Sequence, residues 1–443
     1  MWAFCSKQLS CRYSSEECIM TPELKTPITS EFLKLENLII RNSCEIEQWF
    51  RMKWQDYSAP FYASVDLRNS GFKIAPVDTN LFPAGFNNLN PQFEPLAIQA
   101  AVIAIEKVCP EASKIILIPE NHSRNIFYFK NLLYLIEILR NAGLEVELGS
   151  IDPLFTQTDF EVSPGQILSI YPIKKEKQKI YIEKSNQKFV PCSVLLNNDL
   201  SAGEPEILKN ISQTILPNLN AGWFNRRKSQ HFSIYNQVVK DFSDFLKIDE
   251  WLINPFFDTH DNMDINNEQD LQIIADKSEF LLKKIKEKYI KYQITHQPYL
   301  VIKADSGTYG MGIITIQDPK EVLQLNRKKR NKMSIIKDGQ KVNRVIIQEG
   351  IHSEEILNQA VSEPVVYTID HFVIGGFYRI HTNKDKNENL NSPGMQFIPT
   401  PFEQSCLMPD QGRDCNDPPN RFYVYGVIAR LALLAAAGEL NGY

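Results

Sequence analysis

Residues 299–312, YLVIKADSGTYGMG, restrict the fold more than any other stretch of the chain. A short apolar run at 300–302 leads into Lys303. A loop then carries Gly307, Gly310 and Gly312 among small and hydroxyl residues, and apolar residues resume at 313–316. Two short apolar runs around such a loop predict two strands joined by a mobile flap. The glycines allow close backbone approach to a ligand, and their N–H groups can face phosphate oxygens. Lys303 adds a positive charge beside them. The same stretch also reads as an ordinary glycine-rich hairpin with a solvated lysine, so its meaning depends on the residues downstream.

Those residues supply a second constellation. VNRVIIQEG reads as a buried strand ending in Gln348-Glu349-Gly350, and EPVVYTID and FVIGGFYRIH as two more, the second carrying Arg379. NENLNSPGMQF follows, with Glu388, Asn389 and Asn391. In this order the parts suit ATP-driven ligation. Lys303, Ser306 and the amides of Gly307, Gly310 and Gly312 would neutralise the triphosphate. Gln348 and Glu349 would take adenine and ribose. Oxygen ligands from Glu388, Asn389 and Asn391 suit Mg²⁺, and Arg379 would stabilise charge on the transferring phosphoryl group. The plainer alternatives are a hydrogen-bonded loop carboxylate at Glu388 and a structural ion pair at Arg379 to Asp370 or Glu363. The chain has no GxxxxGK[ST], HRD or DFG, so it is neither a P-loop NTPase nor a protein kinase.

Upstream, residues 28–57 carry a helical pattern. FYASVDLRNSGFKIAPVDTNLFPAGFNNL, residues 61–89, predicts strands at about 64–67 and 72–77 with a turn at Asn69-Ser70-Gly71. Asp66, Arg68, Lys73, Asp78 and Asn80 among phenylalanines suit a small zwitterionic ligand, whose carboxylate needs a cation and whose ammonium group needs an aspartate. An irregular loop with its own Asx turns is the alternative. Residues 114–148 predict a strand–helix–strand unit, capped by Asn121 or Ser123 and closed by Gly143. Ligands of open α/β sheets gather beyond the carboxyl ends of strands, which draws in Arg124 there and Asn198 after the strand at 192–196. Arg226, Arg227, Lys228 and His231 form either an anion clamp or the basic face of a helix. DTHDNMDINNEQD reads as a loop before an amphipathic helix from Leu271, and Asp338-Gly339 as a hairpin turn.

A chain of 443 residues exceeds one core, so two or three domains are expected. The net charge of −5 argues against a general nucleic-acid binder. The most apolar run, 427–437, is short for a membrane span and holds Arg430, so it predicts a buried C-terminal helix. Eight cysteines without a CxxC pair fit a reducing cytoplasm with neither disulfides nor a zinc site.

The order of the downstream elements resembles the ATP-grasp ligases, whose metal-binding segment often reads Glu-x-Asn before Pro-Gly. Here Asn389 sits two residues before Asn391 and the acid is Glu388. SVDLRNSGFKIAPVDTNLFPAGFNNL, PENHSRN, NNDLSAG, GWFNRRKSQHF, IKADSGTYGMG, IIQEGI, EPVVYTIDHFVIGGFYRIH and NENLNSPGMQF together look like the proteobacterial-type glutamate–cysteine ligase family, from about residue 28 to the C-terminus. The resemblance implies an α/β (α+β) chain. Residues 28–240 would be an N-terminal α/β amino-acid-binding domain and 241–443 an ATP-grasp-like ATP/Mg-binding region ending in the helix; residues 1–27, rich in Ser and Cys and outside the resemblance, read as a disordered tail. It also implies phosphorylation of the γ-carboxylate of glutamate by ATP, followed by attack of the cysteine amine, with a flap that keeps water from the acyl phosphate. Arg68, Lys73 and Arg124 would then meet carboxylates, Asp66 and Asp78 ammonium groups, with Asn80 and Asn198 nearby. Small-molecule substrates are the expected partners, with no nucleic acid and no membrane. Another ATP-grasp carboxylate–amine ligase, glutathione-synthetase-like, and a catalytically silent nucleotide-binding protein are the competing readings.

Overall fold

The computed structural model describes residues 24–25, 29–121, 125–307, 312–334, 342–400 and 421–441. Its centre is a seven-stranded antiparallel sheet. Strand Ala360–Ile369 pairs along one edge with Phe372–His381 and along the other with two different strands, Glu355–Leu357 and Tyr62–Asn69. Ile74–Asn80 continues the sheet beyond Tyr62–Asn69, and Gln396–Pro399 beyond Phe372–His381. Glu363 and Pro364 fall in the gap between the two partners that share an edge. A proline, with no N–H to give to a ladder, is tolerated at such a break.

Side chains alternate across this sheet, as a period of two requires. Val366, Tyr378 and Ile380 enter one core with the helices Ser30–Arg41, Ser43–Asp56, Lys228–Leu246 and Arg421–Asn441. Val365, Tyr367 and Phe377 enter another with the helices Glu94–Val108 and Ile126–Asn141. The second core also receives a six-stranded sheet, parallel except for its edge strand Thr158–Ser163. Within it, the expected strand–helix–strand unit is Lys114–Pro119, Ile126–Asn141 and Glu145–Ser150, with Gly143 at φ 92° closing the helix. The helix is capped by Asn125, whose side chain accepts from Phe127 N, and not by Asn121; Ser123 lies outside the described residues.

A four-stranded antiparallel sheet forms the third body. Its order is Phe257–Asp261, Arg344–Glu349, Leu300–Ala304, Ile314–Ile316, and it packs on the helix Glu268–Lys291. The segment expected as a loop before that helix thus begins as an edge strand. Its polar residues misled the pattern because the strand is only partly covered: Asp258 pairs with Lys277, and His260 with Asp270.

The division expected at residue 240 does not follow the sheets. Residues 62–80 lie in one sheet with residues 355–399, and the helix Lys228–Leu246 runs through the boundary. Of the tail expected at 1–27, Leu24–Lys25 pairs with Glu355–Leu357, and the rest lies outside the described residues, as does the turn at 338–339.

The C-terminal helix is longer than the 427–437 run. At Arg421–Asn441 it has the length and apolar content of a membrane span, yet it is buried in the core. It is apolar on every side because both of its flanks are covered, most of it by the first core, and Leu433 and Ala436 by the strands of the six-stranded sheet. Arg430 inside it is paired with Glu47 at 2.6 Å.

Candidate active site

A cleft, partly open to solvent, lies between the seven-stranded and four-stranded sheets. The first sheet supplies Asp66, Arg68, Val77, Asp78, Glu363 and Arg379. The second supplies Val301, Lys303, Thr315, Gln348 and Glu349, and Ser306 and Gly307 follow at the start of the glycine loop. Lys228 enters from the first turn of its helix, and residues 387–391 close one side.

Two charge clusters face this space. In the first, Arg379 donates to Asp66 at 2.9 Å and Glu363 at 2.6 Å, and Arg68 donates to Glu363 at 2.9 Å. Arg68 also donates to the Tyr299 hydroxyl at 3.1 Å and to the carbonyls of Ile351 and Glu388 at 3.1 and 2.6 Å. Burial would raise Glu363, but the two guanidinium groups outweigh it and hold the carboxyl below the usual range. Burial pushes Asp66 up, against the pull of Arg379 and with the push of Glu363. The arginines of this cluster are therefore held by protein carboxylates, as the ion-pair alternative at Arg379 expects, with Glu363 and Asp66 as its partners. The Nε of Arg379 is buried without a hydrogen-bond partner among the described residues.

In the second cluster, Lys228 Nζ donates to both oxygens of Asp78 at 2.8 and 3.1 Å and lies 4.3 Å from the centre of the Trp223 ring. Lys303 Nζ donates to Val77 O at 2.7 Å. Burial lowers Lys303 to about 8, and Asp78 pulls the other way. Burial would raise Asp78, yet Lys228 and Lys303 hold it well below the ordinary carboxylate value. Two ammonium groups face one carboxylate here, so this end of the cleft carries surplus positive charge.

The structure brings together Arg68, Asp78, Lys303, Ser306, Gly307, Gln348, Arg379, Glu388, Asn389 and Asn391 of the expected site residues. Gln348 is buried, and its Nε2 has no partner among the described residues. Gly312 follows the loop with φ 68°. Other expectations change. Lys73 is 1 % exposed and does not line the cleft: its ammonium donates to Glu349 at 2.8 Å and sits 4.3 Å from the Trp251 ring. Glu349 reaches the cleft edge, but its carboxylate accepts from Lys73, from Trp251 Nε1 at 3.0 Å and from Phe256 N at 3.0 Å. Gln348 and Glu349 are neighbours in a strand and point to opposite faces, which separates their tasks. Asn80 closes an Asx turn on Phe82 N, and Asn198 bonds Pro119 O and Leu200 N; neither reaches the cleft. Arg124 and Gly310 lie outside the described residues.

The basic run resolves into separate tasks. Arg226 pairs with Glu439 of the C-terminal helix at 2.9 Å, Arg227 bonds nearby carbonyls, and Lys228 enters the cleft. Nothing in three consecutive cations marks which one does so. Glu363 is the residue sequence reasoning underweighted. A lone carboxylate beside the apolar run PVVYTI was its signal, since buried charges in strands are paired.

A cleft that gathers Lys303, Lys228 and the start of a glycine loop on one side, and carboxylate–arginine pairs on the other, has the charge to hold anionic small molecules, as a ligase of such substrates requires. The sequence model of the Glutamate-cysteine ligase family matches residues 36–440, and the chain belongs to that family. It is a glutamate–cysteine ligase by family, acting on small-molecule substrates. The crystal structure of a protein assigned as a gamma-glutamylcysteine synthetase from Methylobacillus flagellatus KT is 50% identical. The similarity covers 96% of this chain and 99% of that one, with a TM-score of 0.88. A glutathione synthetase like-effector from Globodera pallida is 9% identical over 81% of each chain, with a TM-score of 0.35. D-alanyl-alanine synthetase A from Vibrio cholerae is 9% identical over 72% of this chain and 81% of that one, at 0.32. No curated protein matches the chain.

Proposed function

We propose that the cleft activates the γ-carboxylate of glutamate with ATP and joins it to the amine of cysteine, the first step of glutathione biosynthesis. A glutamate oxygen attacks the γ-phosphorus and ADP leaves. The cysteine nitrogen then displaces phosphate from the acyl phosphate, and one proton is released overall. The observation that carries this reading is the surplus cation at one end: Lys303 and Lys228 against Asp78 alone, beside the glycine loop that starts at Ser306 and Gly307. Such a pocket suits a triphosphate.

In an ATP-grasp-like arrangement the four-stranded sheet takes the nucleotide. The apolar side chains of Val301, Ile313 and Ile351 suit adenine, and the Nε2 of Gln348, without a partner among the described residues, is a buried donor for it. The seven-stranded sheet takes the amino acids, with Asp66 on the side of an ammonium group, while Asp78, expected to share that task, stays with Lys228 at the phosphate end. Arg379 stays between Asp66 and Glu363 and keeps positive charge near the reacting carboxylate.

The donor set at 388–391 fits a hard cation. Lys384, bonded at 2.8 Å, and Asp385 N hold the half-exposed Glu388 carboxyl below its ordinary value, so it is ionised, and Asn389 and Asn391 add amide oxygens. Mg²⁺ held there would neutralise phosphate charge. The reading also keeps the enzyme in the cytoplasm, with its cysteines reduced.

The test is phosphate release from ATP-Mg with glutamate, with and without cysteine, and the product identified by mass. Release that needs both amino acids and yields γ-glutamylcysteine is expected. Release with another acceptor would move the substrate assignment to a different carboxylate–amine ligation, and no release with any pair would leave a silent nucleotide-binding protein.

A further inference from the structure

Asp305 lies two residues beyond Lys303 and one before Ser306, where the flap strand enters the glycine loop. It is 1 % exposed and is not part of the cleft wall. Its carboxylate points instead at the start of the helix Lys228–Leu246. One oxygen accepts from Ser229 N at 2.7 Å and the other from Ser229 Oγ at 2.7 Å. Its main-chain carbonyl accepts from Lys228 N at 2.8 Å. On the other side Asp305 N donates to Arg344 O at 3.1 Å, and Arg344 Nε is 3.0 Å from the carboxylate.

The helix needs such a partner. Its own N-cap residue, Arg227, makes no side-chain cap bond, and the first turn of a helix exposes N–H groups that nothing inside the helix can satisfy. A carboxylate there both accepts these bonds and opposes the positive end of the helix dipole. An acidic residue 76 positions away in sequence supplies the cap. The capped turn is the one that carries Lys228, whose ammonium holds Asp78 in the cleft.

We propose that Asp305 is a positioning residue that caps the Lys228 helix from the base of the glycine loop and thereby fixes Lys228 relative to Lys303. The two lysines of the cleft come from different elements, a strand and a helix, and Asp305 is joined to both, to the strand by the chain and to the helix by hydrogen bonds. A displacement of the loop base is passed directly to Lys228 and its contact with Asp78. The consequence for turnover rests on the ligase reading; the placement of Lys228 does not.

Two measurements test it separately. The first needs no activity. The intact protein and its variants are acylated with a limiting amount of an amine-reactive ester, and the extent of labelling at Lys228 is read by peptide mass mapping. Asp305→Ala should raise labelling of Lys228 severalfold, and Ser229→Ala, which removes only the hydroxyl bond, should raise it less. Asp305→Asn, which can still accept from Ser229 N, should stay near the parent. Unchanged labelling of Lys228 in folded Asp305→Ala overturns the proposal, and so does labelling in Asp305→Asn equal to that in Asp305→Ala. If Asp305→Ala does not fold, Ser229→Ala decides by the same criterion.

The second is a double-variant cycle on kcat/KM for ATP. Asp305→Ala alone should lower it about tenfold or more, but by less than about twofold when Lys228 is already alanine. Equal losses in both backgrounds would mean that Asp305 does not act through Lys228. A parent enzyme that forms no γ-glutamylcysteine would overturn the ligase reading and leave the labelling result standing.

Discussion

Lys73 and Lys303 both stand at strand ends beside apolar residues, and burial lowers both to about 8. Their surroundings differ. Lys73 is neutralised by Glu349 and covered by Trp251, whereas Lys303 donates to the Val77 carbonyl, lies 5.7 Å from the Phe232 ring and shares Asp78 with Lys228. Lys303→Met should therefore lower kcat/KM for ATP by roughly 10²–10³-fold while the protein stays folded, the range for loss of a preorganised charge contact. Near-parental turnover in this variant would remove Lys303 from the phosphate site. The protonated form is the useful one, so kcat/KM for ATP should fall as pH rises through about 8. Arginine keeps its charge in that range. In Lys303→Arg, assayed over pH 6.5–9.5 in ~0.5 steps, the alkaline fall should vanish; an unchanged fall would assign it to another group.

Glu355 gives a second residue-scale expectation. Burial raises its carboxyl to about 7, against the pull of Tyr425, Arg421 and Asn69, and one carboxylate oxygen has no partner among the described residues. An acid with a raised folded-state value binds its proton more tightly when folded, so stability falls as pH rises from about 4.5 to about 7 and stays lower above that. Glu355→Gln should thus stabilise the protein at pH ~8, by up to about 3 kcal/mol, and change little at pH ~5. Urea unfolding at the two values checks it, and an equal shift at both would refute the assignment.

Among the elements, the flap strands, the strand–helix–strand unit and the helices of residues 30–56 were legible because each carries its own period and its own stop signals. The same holds for the lysine, glutamine and arginine placed in the cleft by strands of apolar residues. What was not legible depends on partners far away in sequence. Lys73 is withdrawn from the cleft by Glu349, and Asn198 by Pro119, and no local pattern announces either contact. The strand Phe257–Asp261 was missed because it is polar and only partly covered.

Gly350 shows how one element can reach into the site. Its backbone passes so close to Tyr299 that a Cβ would collide with the ring, and the Tyr299 hydroxyl accepts from Arg68 at 3.1 Å while donating to Ile351 O at 2.7 Å. Gly350→Ala should destabilise by about 1–3 kcal/mol, as overpacking does. It should also lower kcat/KM about tenfold through Arg68, because small displacements of positioning groups are costly. A variant destabilised but kinetically unchanged would separate Tyr299 from the cleft. In the C-terminal helix, a side chain that touches no charge acts by volume: Leu431→Ala in its buried face should cost about 2–5 kcal/mol in urea unfolding with the m-value unchanged.

At the scale of the whole molecule, the central sheet binds residues 62–80 to residues 355–399, with the whole of the six-stranded and four-stranded sheets inserted between them in the chain. On a ribosome, strands 62–69 and 74–80 emerge early and must wait for their neighbour at 360–369. At the usual pace of about 5–20 residues per second, that wait is roughly 15–60 s. For that interval the core that takes Val65, Leu67 and Ile74 lacks the strands 360–381 and the C-terminal helix, and two strand edges stand open to any other extended chain. A chain stopped at residue 300 should therefore sediment as aggregate instead of unfolding cooperatively, and a soluble fragment with a sharp urea transition would contradict this. The interleaving that lets strands roughly 300 residues apart, from Asp66 to Glu363, line one cleft should leave the nascent polypeptide dependent on whatever shields those edges until almost the last helix is made.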